Sequence, residues 1–250
     1  MAVIAACMDE SGVHAGAPVC VVAGYVATAD QWVSAVDSWQ KVLHLPDFNV
    51  SVFHATECWA QNNEFSGWAL EKRQSLVREL TSVILNHRIY GFAQAIDANA
   101  YRKFFAPVCD KKIENPYFLC LFNAVSEALS LVDEKFSPSD DLDVFAGNHQ
   151  EFRPVGRSLC QHVRGIIKGG QRLSQDLICG SPTKWVQLQF ADLLAHHCFR
   201  DFLPDNIDNP GVRVAAYAAT DYLKPSVVSA LIADESDVRM AASVWQNPQF

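Results

Sequence analysis

Basic residues are scarce in this chain. Its 250 residues carry 20 Lys and Arg against 28 Asp and Glu, a formal net charge of −8 at pH 7. Such a surface is a poor non-specific partner for nucleic acid. Any such role needs a local basic face, or a metal that offsets the acids. Charged residues of both signs make up only 19% of the chain. Even so, no apolar run reaches transmembrane length, because Arg73, Glu79 and Asp192 interrupt the longer ones. A membrane partner is therefore not expected. Met1-Ala2-Val3-Ile4 lacks the cationic region that opens a signal peptide. No C-x-x-C pair occurs among the eight scattered cysteines, which argues against a cysteine zinc site. Several lie inside apolar runs, where a thiol behaves as a small hydrophobe. Free buried thiols in a reducing cytoplasm are the expectation. There is no internal repeat and no low-complexity stretch.

Half of the residues are hydrophobic and the mean hydropathy is +0.02, which implies a large core. The length suits one α/β domain, alone or with a helical addition. The first strand is the clearest signal. Residues Ala2 to Met8 are apolar without a break, as in a strand buried on both faces, and Asp9-Glu10-Ser11-Gly12 follows at once. Carboxylates at a strand end beside the core are rarely buried unless paired or metal-bound. Alternation along the strand sends Asp9 and Glu10 to opposite faces.

The pattern predicts a hairpin from Val3–Met8 and Val19–Ala27, then a helix over Ala29–Leu43 opened by a Thr28/Gln31 capping box. A second helix is expected over Trp68–Asn86, and a third strand over Ile89–Ile96. An almost wholly apolar helix follows at Asn115–Val132, and a short strand at Leu142–Ala146 ends at Gly147-Asn148. Arg153–Lys168 reads as a helix, Leu177–Cys179 as a fifth strand. Ser181-Pro182 marks the start of a last helix running to Phe202. Pro204 to Gly211 is linker-like. This divides the chain into a domain over 1–203, with a helical insertion around 29–86, and an extension over 204–250 expected to be helical and packed on the same domain.

Gln189, Asp192 and His196 are spaced by three and four, so they share a face of the last helix. Asp192 flanks the buried stripe and would meet Asp9 across the sheet edge. Two carboxylates brought together repel unless they share a proton or a cation, and Mg²⁺ or Mn²⁺ would resolve the conflict. A solvated Asp on an amphipathic helix is the competing reading. In Phe53-His54-Ala55-Thr56-Glu57 a proton carrier and an acid lie three apart, although a His bonded to a backbone carbonyl explains the same residues. Ser11 has no nucleophile elbow around it and suits turn bonding better. Arg157, Arg164 and Lys168, with Arg172 beyond, form the one concentrated basic patch. They suit phosphate contact or a solvated helix face. Gly169-Gly170 lacks the rest of a phosphate-cradling loop. Asp97 reads as an N-cap. Asn148 stands just past a strand end, where open sheets place ligand contacts. Glu127, on the apolar helix, asks for a partner.

Three motifs together resemble a known family: Asp9-Glu10-Ser11-Gly12, Phe53-His54-Ala55-Thr56-Glu57, and Gln189-Phe190-Ala191-Asp192-Leu193-Leu194-Ala195. They are similar to those of the D-E-S-G proteins, the domain-of-unknown-function family numbered three thousand eight hundred, common in bacteria and phages. The motifs span roughly the first four-fifths of the chain. The resemblance implies a ribonuclease H-like fold, with a mixed five-stranded sheet flanked by helices. In that fold a hairpin and third strand come first, and helices alternate with the remaining strands. It also implies a nuclease-type site in which Asp9 and Asp192 hold Mg²⁺ or Mn²⁺. One departure stands out. Related nucleases carry an acid at the end of the fourth strand, where this chain has Gly147-Asn148, so Glu57, Glu127 or Glu151 would have to replace it.

The expected function is divalent-metal-dependent phosphodiester hydrolysis. Asp9, Asp192 and Glu57 would be ligands, with Glu57 or His54 moving protons and the basic helix face positioning a strand of nucleic acid. Two alternatives remain beside it: a non-catalytic nucleic-acid or protein binding module on the same fold, and a hydrolase of small phosphorylated molecules. The missing fourth-strand acid and the net −8 favour the binding module.

Overall fold

Strand β1 (Val3–Ser11) lies inside a mixed sheet of six strands in the order β5-β4-β1-β2-β3-β6. The computed structural model describes residues 3–137, 139–147, 153–174, 176–203 and 227–246. β1 pairs antiparallel with β2 (Val19–Thr28), and β2 antiparallel with β3 (Tyr90–Asp97). β4 (Asp141–Gly147) runs parallel to β1, and the short β5 (Ile178–Gly180) runs parallel to β4. The turn after β1 depends on Gly12. Its φ is +75°, and a Cβ there would lie 2.2 Å from the Val19 carbonyl oxygen.

Five of these strands fall where the apolar runs predict them. The sixth does not. The extension was expected to be helical, yet among its described residues Val227–Ala233 forms β6, an edge strand parallel to β3, and Glu235–Gln246 is helical (α8). The run Val227-Val228-Ser229-Ala230-Leu231-Ile232-Ala233 is apolar and partly β-branched, which suits a strand. Residues 204–226 lie outside the described set.

Both faces of the sheet are covered, so β2 is buried along nearly its whole length. Alternation decides which residues serve which face. Ile4, Ala6, Met8, Cys20 and Val22 join one cluster with α5 (Tyr117–Lys135) and α6 (Arg153–Ile166). Cys7, Val21, Ala23 and Tyr25 join the other, under α1 (Ala29–Leu43), α3 (Leu70–Asn86) and α7 (Gln187–Asp201). α1 opens with the predicted capping box: Gln31 N–H donates to Thr28 Oγ1, and Gln31 Oε1 accepts the Thr28 N–H. The second cluster is rich in rings. Trp39 stacks on Phe190 at 3.9 Å between centroids, and Trp32 meets Phe190 edge-on at 5.5 Å.

α7 begins later than Ser181-Pro182 suggested. Residues 181–185 form a turn in which Trp185 N–H donates to the Ser181 carbonyl, and the helix starts at Gln187. Trp185 folds back to fill the space beside Gly180, where a Cβ would meet the indole at 2.1 Å. That packing competes with an immediate helix start.

All eight cysteines are free thiols, and Cys7, Cys20, Cys58, Cys120, Cys160 and Cys198 are buried. Among the described residues no helix is long and apolar enough to cross a membrane.

Candidate active site

The carboxyl ends of β1 and β4 lie side by side, because Met8 pairs with Ala146. One residue further on stand Asp9 and Gly147. A Cβ on Gly147 would come 2.7 Å from Asp9 Oδ1 and 3.6 Å from both Glu10 carboxylate oxygens. The two acids therefore converge on the bare backbone of β4, and the expectation that they point to opposite faces fails here. Alternation does start them apart. At the strand end, however, nothing occupies the β4 position, and the longer Glu10 side chain bends over to come within hydrogen-bonding reach of Asp9.

Asp192 reaches the same place from α7. It is buried, at 8% exposure. Its Oδ2 accepts the Ala55 N–H at 2.7 Å and lies 3.5 Å from His54 Nδ1. One turn earlier on α7, Gln189 Oε1 accepts the Phe53 N–H at 3.0 Å and the Trp39 Nε1–H at 3.0 Å. The short helix α2 (Ala55–Ala60) starts at this junction and carries Glu57 in its first turn. Residues of all three sequence motifs thus meet at one end of the sheet.

The acids of the group act on one another electrostatically. Burial raises the Asp9 carboxyl well above the usual carboxylate range, and the charges of Glu10 and Asp192 raise it further. Burial also raises Asp192, to about 6, against the opposing pull of His54 and the Ala55 N–H; Glu10 and Glu57 add to the rise. Tyr117, buried at the start of α5, is pushed well up by burial and then by Glu10 and Asp9. Tyr117 and the permissive role of Gly147 were not legible in the sequence. A Tyr opening an apolar helix looks like core, and a glycine shows its use only through what occupies the space of its missing side chain.

Oxygen donors gathered in a desolvated site suit a hard divalent cation in kind. Like-charge repulsion among Asp9, Glu10 and Asp192 is the conflict that such an ion relieves. Among the described residues, no group of three or more His, Cys, Asp and Glu side chains is already arranged to hold one.

The remaining candidates separate. Ser11 ends β1, paired with Val21. Glu127 is half-buried on α5, ten residues or about 15 Å along the helix from Tyr117. Asp97 caps the short α4 (Ala98–Ala100) through the Asn99 and Ala100 N–H groups, as its position suggested. His196 shares α7 with Asp192 but is half-buried, and its basicity is lowered to about 4, mainly by desolvation. Asn148 and Glu151 lie outside the described residues.

Of the basic patch, Arg164 and Arg172 are both taken up by internal partners. Arg164 pairs with Asp176 at 3.1 Å, and its Nε donates to the Leu173 carbonyl. Arg172 bonds Asp133 and the carbonyls of Ser137 and Asp140. Both guanidiniums are used to hold the loops around α6. Lys168 is exposed beyond the end of that helix, and the Arg157 side chain lies outside the described residues. Comparison with protein-family models, curated proteins and solved structures gives no match.

Proposed function

We propose that the chain is a divalent-metal-dependent phosphoester hydrolase on a ribonuclease H-like fold, related to the D-E-S-G proteins. One observation carries the reading. Asp9 from the first strand, with its carboxylate against the bare backbone of Gly147, and the buried Asp192 from a late helix, held by the Ala55 N–H, come close enough in a shielded site for the charge of Asp192 to raise the Asp9 carboxyl. The element order supports the fold: a hairpin and third strand come first, then helices alternate with the later strands. The convergence of the three motifs supports the relationship.

Asp9, Glu10 and Asp192 would hold Mg²⁺ or Mn²⁺, with Glu57, whose charge acts on Asp192, as a further candidate. The ion would lower the pKa of a bound water and offset charge developing on the phosphate. His54 is the group able to carry a proton. Its side chain is 46% exposed, with Nδ1 held 3.5 Å from Asp192 Oδ2, so the ring reaches solvent on one side and a carboxylate on the other. Glu10 takes the place of the missing fourth-strand acid, and Gly147 leaves it room.

A small phosphorylated substrate is favoured over a long polynucleotide. The observation behind this is the internal pairing of Arg164 and Arg172, which takes two of the four basic side chains from the face that would track a backbone. The test is metal-stimulated turnover of bis-para-nitrophenyl phosphate beside a single-stranded oligonucleotide, using wild type, Asp9→Asn and Asp192→Asn. Cleavage by wild type alone is expected, faster on the small ester. No turnover by wild type at any Mg²⁺ or Mn²⁺ concentration would leave the non-catalytic binding module as the reading.

A further inference from the structure

The segment Phe53–Ala55 is tied to α7 on both sides of His54. Gln189 Oε1 accepts the Phe53 N–H at 3.0 Å, and Asp192 Oδ2 accepts the Ala55 N–H at 2.7 Å. The two acceptors are three residues apart, one turn on the same helix face. Between them His54 is extended, at φ −136° and ψ 115°, as the N-cap of α2, and its own side chain makes no capping bond. The cap is supplied from α7 by Asp192. His54 is left with side-chain freedom alone, and its Nδ1 lies 3.5 Å from Asp192 Oδ2.

Gln189 is well suited to such a task. It is 1% exposed, and its amide is engaged at both ends. Oε1 takes the Trp39 Nε1–H at 3.0 Å as well as the Phe53 N–H, while Nε2 donates to the Pro182 carbonyl at 3.0 Å. Turning the amide would face Nε2 toward two donors and leave buried groups unpaired. Its orientation is therefore fixed by three separate segments: α1, the loop before α2 and the turn before α7.

We infer that Gln189 is a positioning residue for His54, fixing the backbone ahead of the imidazole while Asp192 fixes it behind, so that the ring is held against the Asp192 carboxylate. The consequence for turnover rests on the hydrolase reading, whereas the positioning itself needs no substrate. A residue serving only to seat Trp39 in the core would not affect the His54 ring.

The test is heteronuclear NMR of the isotope-labelled full chain, reading the His54 ring tautomer and amide exchange at Phe53 and Ala55. In wild type a single tautomer with Nδ1–H toward Asp192 is expected, with both amides protected. Gln189→Leu, which loses the acceptor, should give a mixed tautomer and about tenfold faster exchange at Phe53. Gln189→Glu loses the donor to the Pro182 carbonyl but keeps an acceptor oxygen for Phe53, and should restore the protection there. Trp39→Phe removes the other donor from Oε1 and should leave His54 as in wild type. A folded Gln189→Leu protein with wild-type His54 and Phe53 signals would overturn the inference. If that variant does not fold, an unprotected Phe53 amide in wild type overturns it equally, and a protected one that stays protected in Gln189→Glu upholds it. Where wild type turns over a phosphoester, Gln189→Leu should lower kcat and leave KM unchanged. Where wild type turns over nothing, the hydrolase reading fails and the NMR result still decides the positioning.

Discussion

Asp9 and Asp192 are held in the folded chain against their own charge, and this has a sign that can be measured. The Asp192 carboxyl is raised from 3.8 to about 6, so the native state binds more protons than the unfolded state between those values. Its contribution to stability is therefore present in acid and lost as pH rises toward 6. A shift of that size corresponds to about 3 kcal/mol. Asp9 works in the same direction. In metal-free buffer at pH 7.5, Asp192→Asn and Asp9→Asn should each raise Tm, and for Asp192→Asn the gain should vanish near pH 4. Mg²⁺ should raise the Tm of wild type and leave both variants unchanged. A lower Tm for both variants at pH 7.5 would mean that the acids are not in conflict. His196 and His197 act oppositely. Burial lowers them to about 4 and about 3, so they are neutral when folded and protonate on unfolding below pH 6.5. Their stabilisation is present above 6.5 and lost as pH falls through the lowered values. His197→Phe, beside Trp59 at 6.1 Å, should flatten the loss of Tm between pH 6.5 and 4. An unchanged slope would count against a neutral buried imidazole. Gly147→Ala tests the meeting of the two acids directly. Its new methyl would come 2.7 Å from Asp9 Oδ1, so the carboxylate must move. Calorimetry should show weaker Mn²⁺ binding at a stability loss of about 1–3 kcal/mol, and unaltered affinity would place the ion elsewhere.

At the level of elements, what the sequence made legible was whatever is local. The Thr28/Gln31 box announced α1 because capping is a contact within four residues, and both of its bonds are present. Thr28→Ala should therefore lower stability by about 1 kcal/mol in urea unfolding, with an unchanged denaturant slope. The apolar runs of β1, β2 and β3 were equally plain, as strands covered on both faces carry almost no polar residues. Failures came where side-chain packing or a distant strand decides. α7 starts at Gln187 and not at Ser181 because Trp185 occupies the notch left by Gly180. β6 was missed because its pairing with β3 joins segments far apart in the chain. The candidate site divides in the same way. Asp9, His54 and Asp192 were visible as residue types at marked positions. That Glu10 turns toward Asp9 depends on a vacancy in a neighbouring strand, and that Gln189 holds the His54 backbone depends on the packing of α7; no spacing rule carries either.

For the whole molecule, the net charge of −8 and the fate of the arginines decide what it can approach. Arg172 is a clamp: its guanidinium bonds Asp133 and two loop carbonyls, tying the end of α5 to β4, and only 12% of its side chain is exposed. Arg164 ties α6 to the segment before β5 through Asp176. Arginines committed in this way cannot also release counterions from a phosphate backbone. In the absence of divalent cation, the protein should bind a duplex oligonucleotide no tighter than about 10⁻⁴ M at physiological salt, the weak limit of non-specific association. Lys168→Ala should leave that affinity unchanged. Arg172→Ala should instead cost about 2 kcal/mol of stability, since it strands Asp133 and two carbonyls together. Fluorescence anisotropy across a salt series separates the cases. Affinity that is tight without metal, falls steeply with salt and weakens in Lys168→Ala would reveal a polynucleotide track. A flat, weak response that strengthens only with Mg²⁺ would place recognition at the carboxylates of β1 and α7, and thus favour a small phosphoester as the substrate.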